Sequence, residues 1–277
     1  SMTMTNNYIL VGINMLPSDQ LLIDYIKKND SPGHIILIDP DSQTSEIAVD
    51  RCIAAINSGS KMILVGGSTG TDNNNVDQTV IAIQQELLKR SKSTSSSFWN
   101  IPVLLFPACA NAFSSSADGI TFMMLMNSKS TKYLIQEQIK ASSLIKKSNV
   151  TPISMGYIVC EPGGKVGEVG EADLIRSDQV ELMKSYAICA ENFGFSLLYL
   201  EAGSGANNPV SVNLIKAARS VCDLPIIVGG GIRNGDVAKK AVEAGANWIV
   251  TGNLTEEFSN KTELENILSE FIIKMKS

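Results

Sequence analysis

Histidine is almost missing from this chain: His34 is the one copy in 277 residues. That scarcity excludes catalysis by a His-activated serine or cysteine elsewhere in the chain, and a His-rich metal centre. His34 opens an apolar run and reads as structural. Cysteine is present but carries no pattern. Cys52, Cys109, Cys160, Cys189 and Cys222 are far apart and form no CxxC, which removes a metal knuckle and an obvious disulfide framework and fits a reducing cytoplasm. Positive charge is also in short supply, with 23 Lys and Arg against 28 Asp and Glu. Without a basic run the chain cannot displace phosphate counterions along a nucleic acid. No apolar stretch approaches the ~18 to 20 residues of a membrane span, and the polar amino terminus does not read as a signal peptide. A lipid ligand would have to be met from the water side. Finally, the first strand is not followed by the GxGxxG turn of a dinucleotide-binding sheet.

What is present is apolar material for one large core. The composition is 44% hydrophobic and 18% charged, and 277 residues is close to the roughly 250 of one α/β barrel. The whole chain, 1–277, is therefore read as one domain. Ser1 ahead of Met2 reads as a cleavage scar, and residues 1–19 as that scar plus an amino-terminal extension.

Eight short apolar runs read as parallel strands buried on both faces: 34–38, 61–65, 103–106, 120–125, 153–159, 197–201, 225–228 and 248–250. Amphipathic segments at 45–57, 76–89, 131–147, 178–192, 209–220, 236–243 and 261–274 follow all but the third. A strand-helix unit repeated eight times closes into a (β/α)8 barrel, and residues 107–119, small, polar and weakly periodic, are the exception after the third strand. A helix over 20–28 is placed to cover the barrel floor. The Ser- and Lys-rich stretch 91–97 reads as a surface loop.

The carboxyl ends of the strands carry the chemistry. Strand six ends in Tyr199-Leu200-Glu201-Ala202-Gly203-Ser204-Gly205, strand seven in Gly229-Gly230-Gly231-Ile232-Arg233, and strand eight in Thr251-Gly252-Asn253. Barrels of this kind often bind phosphate at the last loops, where glycines let an oxygen approach backbone N–H groups. Three glycine-rich loops converging on one point strengthen that reading over three ordinary tight turns. Ser204 and Asn253 add side-chain donors, while Arg233 is left as a cap or surface pair. Across the mouth, strand one ends in Asp39-Pro40-Asp41 and strand two in Gly66-Gly67-Ser68-Thr69-Gly70. Asp39 is placed for Mg²⁺, which takes few protein carboxylates and shares phosphate oxygens, and Ser68 is placed for the same ion or a phosphate. Two anion sites facing each other imply two phosphorylated substrates.

The motifs LIDPD at 37–41, GGST at 66–69, YLEAGSGA at 199–206, GGGIR at 229–233 and WIVTGN at 248–253, in this order and spacing, resemble geranylgeranylglyceryl phosphate synthase. That archaeal prenyltransferase family makes the first ether bond of membrane lipid. The resemblance covers about residues 20–275. It implies transfer of a geranylgeranyl group from its diphosphate to the 3-hydroxyl of sn-glycerol 1-phosphate, with release of pyrophosphate and help from Mg²⁺. It assigns Asp39 and Ser68 to the metal, and Tyr199, Leu200, Glu201, Ala202, Gly203, Ser204, Gly205, Gly229, Gly230, Gly231, Gly252 and Asn253 to glycerol phosphate. It also implies a dimer or hexamer in the cytoplasm, with peripheral membrane contact for the prenyl substrate or product. Leu37 stands where bacterial relatives place a Lys, which favours the C20 donor. The resemblance also implies a strand or loop in place of the third helix, beside the prenyl groove, and residues 107–119 agree with that.

Within that reading Glu201 is the base for the glycerol hydroxyl and Tyr199 orients the acceptor. A dry groove for the prenyl chain is expected from Pro107, Ala108, Ala110, Ala112, Phe113 and the run 122–126, whose alternate residues equally suit a buried strand. The stretch 161–171, with Lys165, is read as a lid or diphosphate contact. Trp99 suits either a core position or an exposed anchor between subunits. Two other readings stay open. One is a sugar-phosphate isomerase or aldolase on the same scaffold, for which Lys61 starts its strand instead of ending it. The other is a non-catalytic barrel that binds a phosphorylated ligand, against which Asp39 and Glu201 count.

Overall fold

The computed structural model describes residues 19–27, 31–67, 72–256 and 260–277. Residues 1–19, read above as a scar and an amino-terminal extension, lie outside them apart from residue 19. Eight parallel strands close a barrel in sequence order: β1 (Gly33–Ile38), β2 (Met62–Val65), β3 (Val103–Leu105), β4 (Gly119–Leu125), β5 (Thr151–Val159), β6 (Leu197–Glu201), β7 (Ile226–Gly229) and β8 (Trp248–Thr251). β8 returns to β1 with Trp248 opposite Gly33 and Val250 opposite Ile35. The helices are α1 (Asp19–Lys27), α2 (Ser45–Asn57), α3 (Asn73–Thr94), α4 (Glu137–Lys147), α5 (Gly164–Val169), α6 (Val180–Asn192), α7 (Val212–Arg219), α8 (Gly235–Glu243), α9 (Asn253–Glu256) and α10 (Lys261–Lys276).

Side chains alternate along each strand, so the apolar runs serve two cores. Ile35, Leu64, Leu104, Tyr157, Tyr199, Ile227 and Trp248 fill the barrel interior. Ile36, Ile63 and Val65 face the helices on one side, and Ile158, Leu198 and Leu200 face them on the other. Each such side chain taken out of water stabilises the fold by about 1.5 to 3 kcal/mol before entropy is counted. The expected floor helix is present as α1, which sends Leu22 and Ile26 into the interior and offers the Ile26 carbonyl to the Trp248 indole N–H at 3.1 Å.

His34 is structural, as its position implied. It is fully buried between Ser60 Oγ at 2.6 Å and Thr251 Oγ1 at 2.8 Å, and burial lowers its pKa to about 3, so it stays neutral. Trp99 belongs to the core, at 7% exposure, with the Arg90 guanidinium 5.0 Å from its ring centroid. The anchor alternative falls, although its neighbour Phe98 is exposed.

The surface loop expected over 91–97 is corrected in its first half, because α3 runs on to Thr94. Ser91 is buried, and the Ser93 and Thr94 hydroxyls bond back to the Arg90 carbonyl, so hydroxyl groups support the last turn that composition alone seemed to dissolve. The expected loss of the third helix holds, since residues 106–118 link β3 to β4 without one. Asp118 organises this link: its carboxylate accepts from Val103 N at 2.8 Å and Gln84 Nε2 at 3.1 Å, and burial raises its pKa to about 6. Ser114 ties the same link to α3 through Asp77 at 2.5 Å.

Candidate active site

β6 delivers Glu201 to the mouth of the barrel, 6% exposed. One carboxylate oxygen accepts from the Gly203 N–H at 2.7 Å and the other from the Tyr157 hydroxyl at 3.2 Å. Burial raises its pKa, and the donors from Gly203 and Tyr157 oppose that shift. Among the described residues Glu201 enters no ion pair, so it is a held carboxylate and not half of a rim salt bridge. Tyr199 lies beneath it. Its ring stacks on Phe106 at 5.4 Å and meets Tyr157 edge-on at 5.1 Å, an aromatic cluster in which each pair adds about 0.5 to 1.5 kcal/mol to simple burial. The Tyr199 hydroxyl is buried close to Glu201 but without a hydrogen-bond partner of good geometry.

The glycines around this carboxylate are spatial necessities. A β-carbon on Gly230 would stand 2.4 Å from Glu201 Oε1, and one on Gly203 would stand 2.5 Å from the Gly163 carbonyl oxygen. Gly203, Gly205, Gly230 and Gly231 all have positive φ, which other residues adopt at a cost. Ser204 Oγ bonds Asn253 Oδ1, joining the loops after β6 and β8. Arg233 is more than a surface cap: Nη2 donates to the carbonyls of Gly205 at 3.2 Å and Ala206 at 3.4 Å, which ties the loop after β7 to the one after β6.

Of the twelve residues expected to touch glycerol phosphate, two have side chains directed away from the mouth. The side chains of Leu200 and Ala202 point outward into the helical layer, because they alternate with Tyr199 and Glu201 along the strand. The Ala202 backbone is occupied as well, donating to Gly229 O at 3.0 Å and accepting from Gly163 N at 2.9 Å. The Gly203 N–H donates to Glu201, so Gly203 also shapes the loop around that carboxylate.

Across the mouth, Asp39 follows β1. Its Oδ1 accepts from Asp41 N at 3.0 Å, and burial raises its pKa. Gly67 makes room for it, since a β-carbon there would lie 2.3 Å from Oδ2. Ser68 lies outside the described residues. Asp39, Ser42, Gly66 and Gly67 line the same cavity of about 260 Å³ as Glu201, Ser204, Gly252 and Asn253. The two expected half-sites thus share one space.

That cavity continues into an apolar groove. Pro107, Ala108, Ala110, Ala112, Phe113, Phe122, Met123 and Leu125 line it as expected. Met126 is turned away into the outer layer instead. Sequence reasoning missed the opposite wall: Glu137, Ala141 and Ile145 recur every four residues on α4, the spacing of one helix face, and all three line the groove. The stretch 161–171, expected as a lid or diphosphate contact, forms part of the cavity wall. It folds into α5, Val166 and Val169 line the cavity, and Ser128 Oγ holds the Gly170 carbonyl at 2.6 Å, while Lys165 is exposed and not among the lining residues.

Fold and site together define a TIM barrel whose glycine-lined, carboxylate-bearing mouth opens sideways into an apolar groove. The chain belongs to the PcrB family, whose model matches residues 24–271. It is 40% identical over 246 residues to the geranylgeranylglyceryl phosphate synthase of Methanococcoides burtonii, covering 88% of this chain and 95% of that one. Among solved structures it is similar to (S)-3-O-geranylgeranylglyceryl phosphate synthase from Thermoplasma acidophilum in complex with sn-glycerol-1-phosphate, with 34% identity, a TM-score of 0.81 and coverage of 91% and 97%. The Thermoplasma volcanium enzyme is 36% identical with the same TM-score, covering 93% of this chain and 97% of that one. Thiamine phosphate pyrophosphorylase from Pyrococcus furiosus, at 13% identity, shares the fold alone.

Proposed function

We propose that this chain transfers a geranylgeranyl group from geranylgeranyl diphosphate to the 3-hydroxyl of sn-glycerol 1-phosphate, releasing pyrophosphate and forming an ether bond. The observation that carries the reading is the single cavity that joins Asp39 to Glu201 and runs on between apolar walls. It has a place for each part of the two substrates: an anion at each rim, a base between them and a dry channel for the hydrocarbon. The similarity to named synthases supports the same activity, and one of them was solved with the acceptor.

In this mechanism the glycine-rich loops after β6, β7 and β8 hold the acceptor phosphate, and Ser204 with Asn253 closes them over it. Glu201 accepts the proton of the attacking hydroxyl at the carboxylate that Tyr157 and Gly203 hold in place. Its raised pKa brings it closer to neutrality and makes it a better base than an ordinary surface glutamate. The fixed geometry presents one hydroxyl to the allylic carbon, an orientation effect that lowers the barrier without new bonds. The hydrocarbon lies between residues 107–113 and α4, out of water.

The donor set fits Mg²⁺. Asp39 is a half-buried carboxylate with one backbone donor on Oδ1 and a glycine beside Oδ2, and Mg²⁺ needs only one or two carboxylates when substrate phosphates complete its shell. Asp39 would hold it, with Ser68 assigned by resemblance. When bound it would stabilise the charge growing on the pyrophosphate leaving group. Action in the cytoplasm, peripheral membrane contact and assembly as a dimer or hexamer go with this reading. No helix among the described residues is long and apolar enough to cross a membrane.

The test is incubation with labelled sn-glycerol 1-phosphate, geranylgeranyl diphosphate and Mg²⁺. A prenylated product that requires both substrates supports the proposal. A folded protein that forms none removes it.

A further inference from the structure

One charged side chain, Glu137, faces the largely apolar groove from α4. Glu137 lines the groove, yet its two oxygens are both occupied: Oε2 accepts from the Ala110 backbone N–H at 2.8 Å, and Oε1 from the Lys140 ammonium at 2.7 Å. Burial pulls its pKa up, but the Ala110 N–H and the two lysines, Lys140 and Lys132, outweigh this and leave it below the ordinary glutamate range. A bare carboxylate beside hydrocarbon would be costly, whereas this one is neutralised within the wall.

Ala110 belongs to the link between β3 and β4 that replaces the third barrel helix. No helix stiffens this link, and it forms the wall facing α4. Its far end is fixed by Ser114 to Asp77 and by Gln84 to the Ser116 carbonyl at 3.1 Å. At its groove-side end, Glu137 spans 27 positions of sequence to reach it. α4 is itself anchored next door, where Gln138 Nε2 donates to the Met123 carbonyl on β4. A wide π turn over Lys132–Gln136 leads directly into Glu137, and such turns often mark functional positions.

We propose that the Glu137–Ala110 hydrogen bond is a latch that fixes the width of the groove, making Glu137 a positioning residue for the hydrocarbon of the donor. The inference rests on the prenyl-transfer reading for its substrate and on geometry alone for the latch. Removing the carboxylate frees the wall at 107–113 and leaves the Ala110 N–H without its acceptor, so the groove no longer holds one chain length better than another. A residue of this kind acts on donor binding and leaves the acceptor half untouched.

The experiment compares wild type, Glu137→Ala and Glu137→Gln. Steady-state kinetics use C15 and C20 allylic diphosphates with sn-glycerol 1-phosphate, and amide hydrogen exchange is followed at residues 107–113. Loss of a hydrogen bond to a charged acceptor predicts, for Glu137→Ala, a rise of roughly tenfold in KM for the C20 donor and a reduced preference between C20 and C15. kcat and the KM for glycerol 1-phosphate stay near wild type, and exchange at 107–113 accelerates. Glu137→Gln keeps a carbonyl acceptor for Ala110 and restores most of both properties. Unchanged exchange and donor KM in Glu137→Ala would overturn the latch, as would an equal loss in kcat and both KM values. Wild-type protein that makes no product with either donor removes the prenyl-transfer reading and the donor half of this inference; the exchange data still decide whether the latch exists.

Discussion

The Tyr199 hydroxyl rests against the backbone of Gly229, so close that a β-carbon at Gly229 would stand 2.1 Å from its oxygen. The tyrosine beneath the base is therefore positioned by a glycine on the next strand. Gly229→Ala should displace Tyr199 and cost about 1 to 3 kcal/mol of stability by overpacking. Adding Tyr199→Phe removes the colliding oxygen and should recover part of that loss. Thermal unfolding of the two single variants and the double variant checks this, and strict additivity would contradict the contact.

Asp118 predicts a pH dependence of stability. Its pKa rises from 3.8 to about 6 on folding, so the native state binds more protons than the unfolded state between those values. Its stabilising contribution is therefore full below about pH 4 and is lost as pH rises through 6, by roughly 3 kcal/mol in total. Denaturant titrations should show this decline in wild type. Asp118→Asn, which cannot ionise, should lack that component.

Glu201 should shape the acid limb of activity. Because burial raises its pKa, kcat/KM should climb with pH through a value above the ordinary glutamate range as the base loses its proton. Glu201→Gln should lower kcat by about 10² to 10⁴ and leave glycerol 1-phosphate binding largely intact. Asp39, also raised by burial, can add to the same limb, and profiles of the Glu201 and Asp39 variants separate the two.

Arg233→Ala should loosen the loop that Arg233 holds through the carbonyls of Gly205 and Ala206. These are two long bonds from an exposed side chain, so the expected effect is small, about a fivefold rise in the KM for glycerol 1-phosphate. kcat should hold, and the donor KM should not move.

The barrel was legible because strands buried on both faces announce themselves as short apolar runs, and α2 at 45–57 and the strand at 197–201 are recovered to the residue. The glycine-rich rim was legible for a related reason: Gly203, Gly230 and Gly231 mark places where backbone must approach backbone. What escaped was set by partners distant in sequence. The Ser91–Thr94 turn looks like loop by composition and is helical because of local hydroxyl bonds. Leu200 and Ala202 share a motif with Glu201 but belong to the other face of the strand, which motif matching ignores and alternation reveals. The Glu137–Ala110 contact left no local trace, although the four-residue spacing of Glu137, Ala141 and Ile145 could have marked the wall.

The central claim is that one cavity contains two separable half-sites, Asp39 for the diphosphate and the loops after β6 to β8 for the glycerol phosphate. The direct test is Asp39→Ala, with sn-glycerol 1-phosphate binding measured by calorimetry alongside prenyl transfer. The account predicts that turnover is abolished while the dissociation constant for glycerol 1-phosphate stays within about twofold of wild type, a difference below 0.5 kcal/mol. Parallel loss of binding and turnover in a folded variant would contradict it.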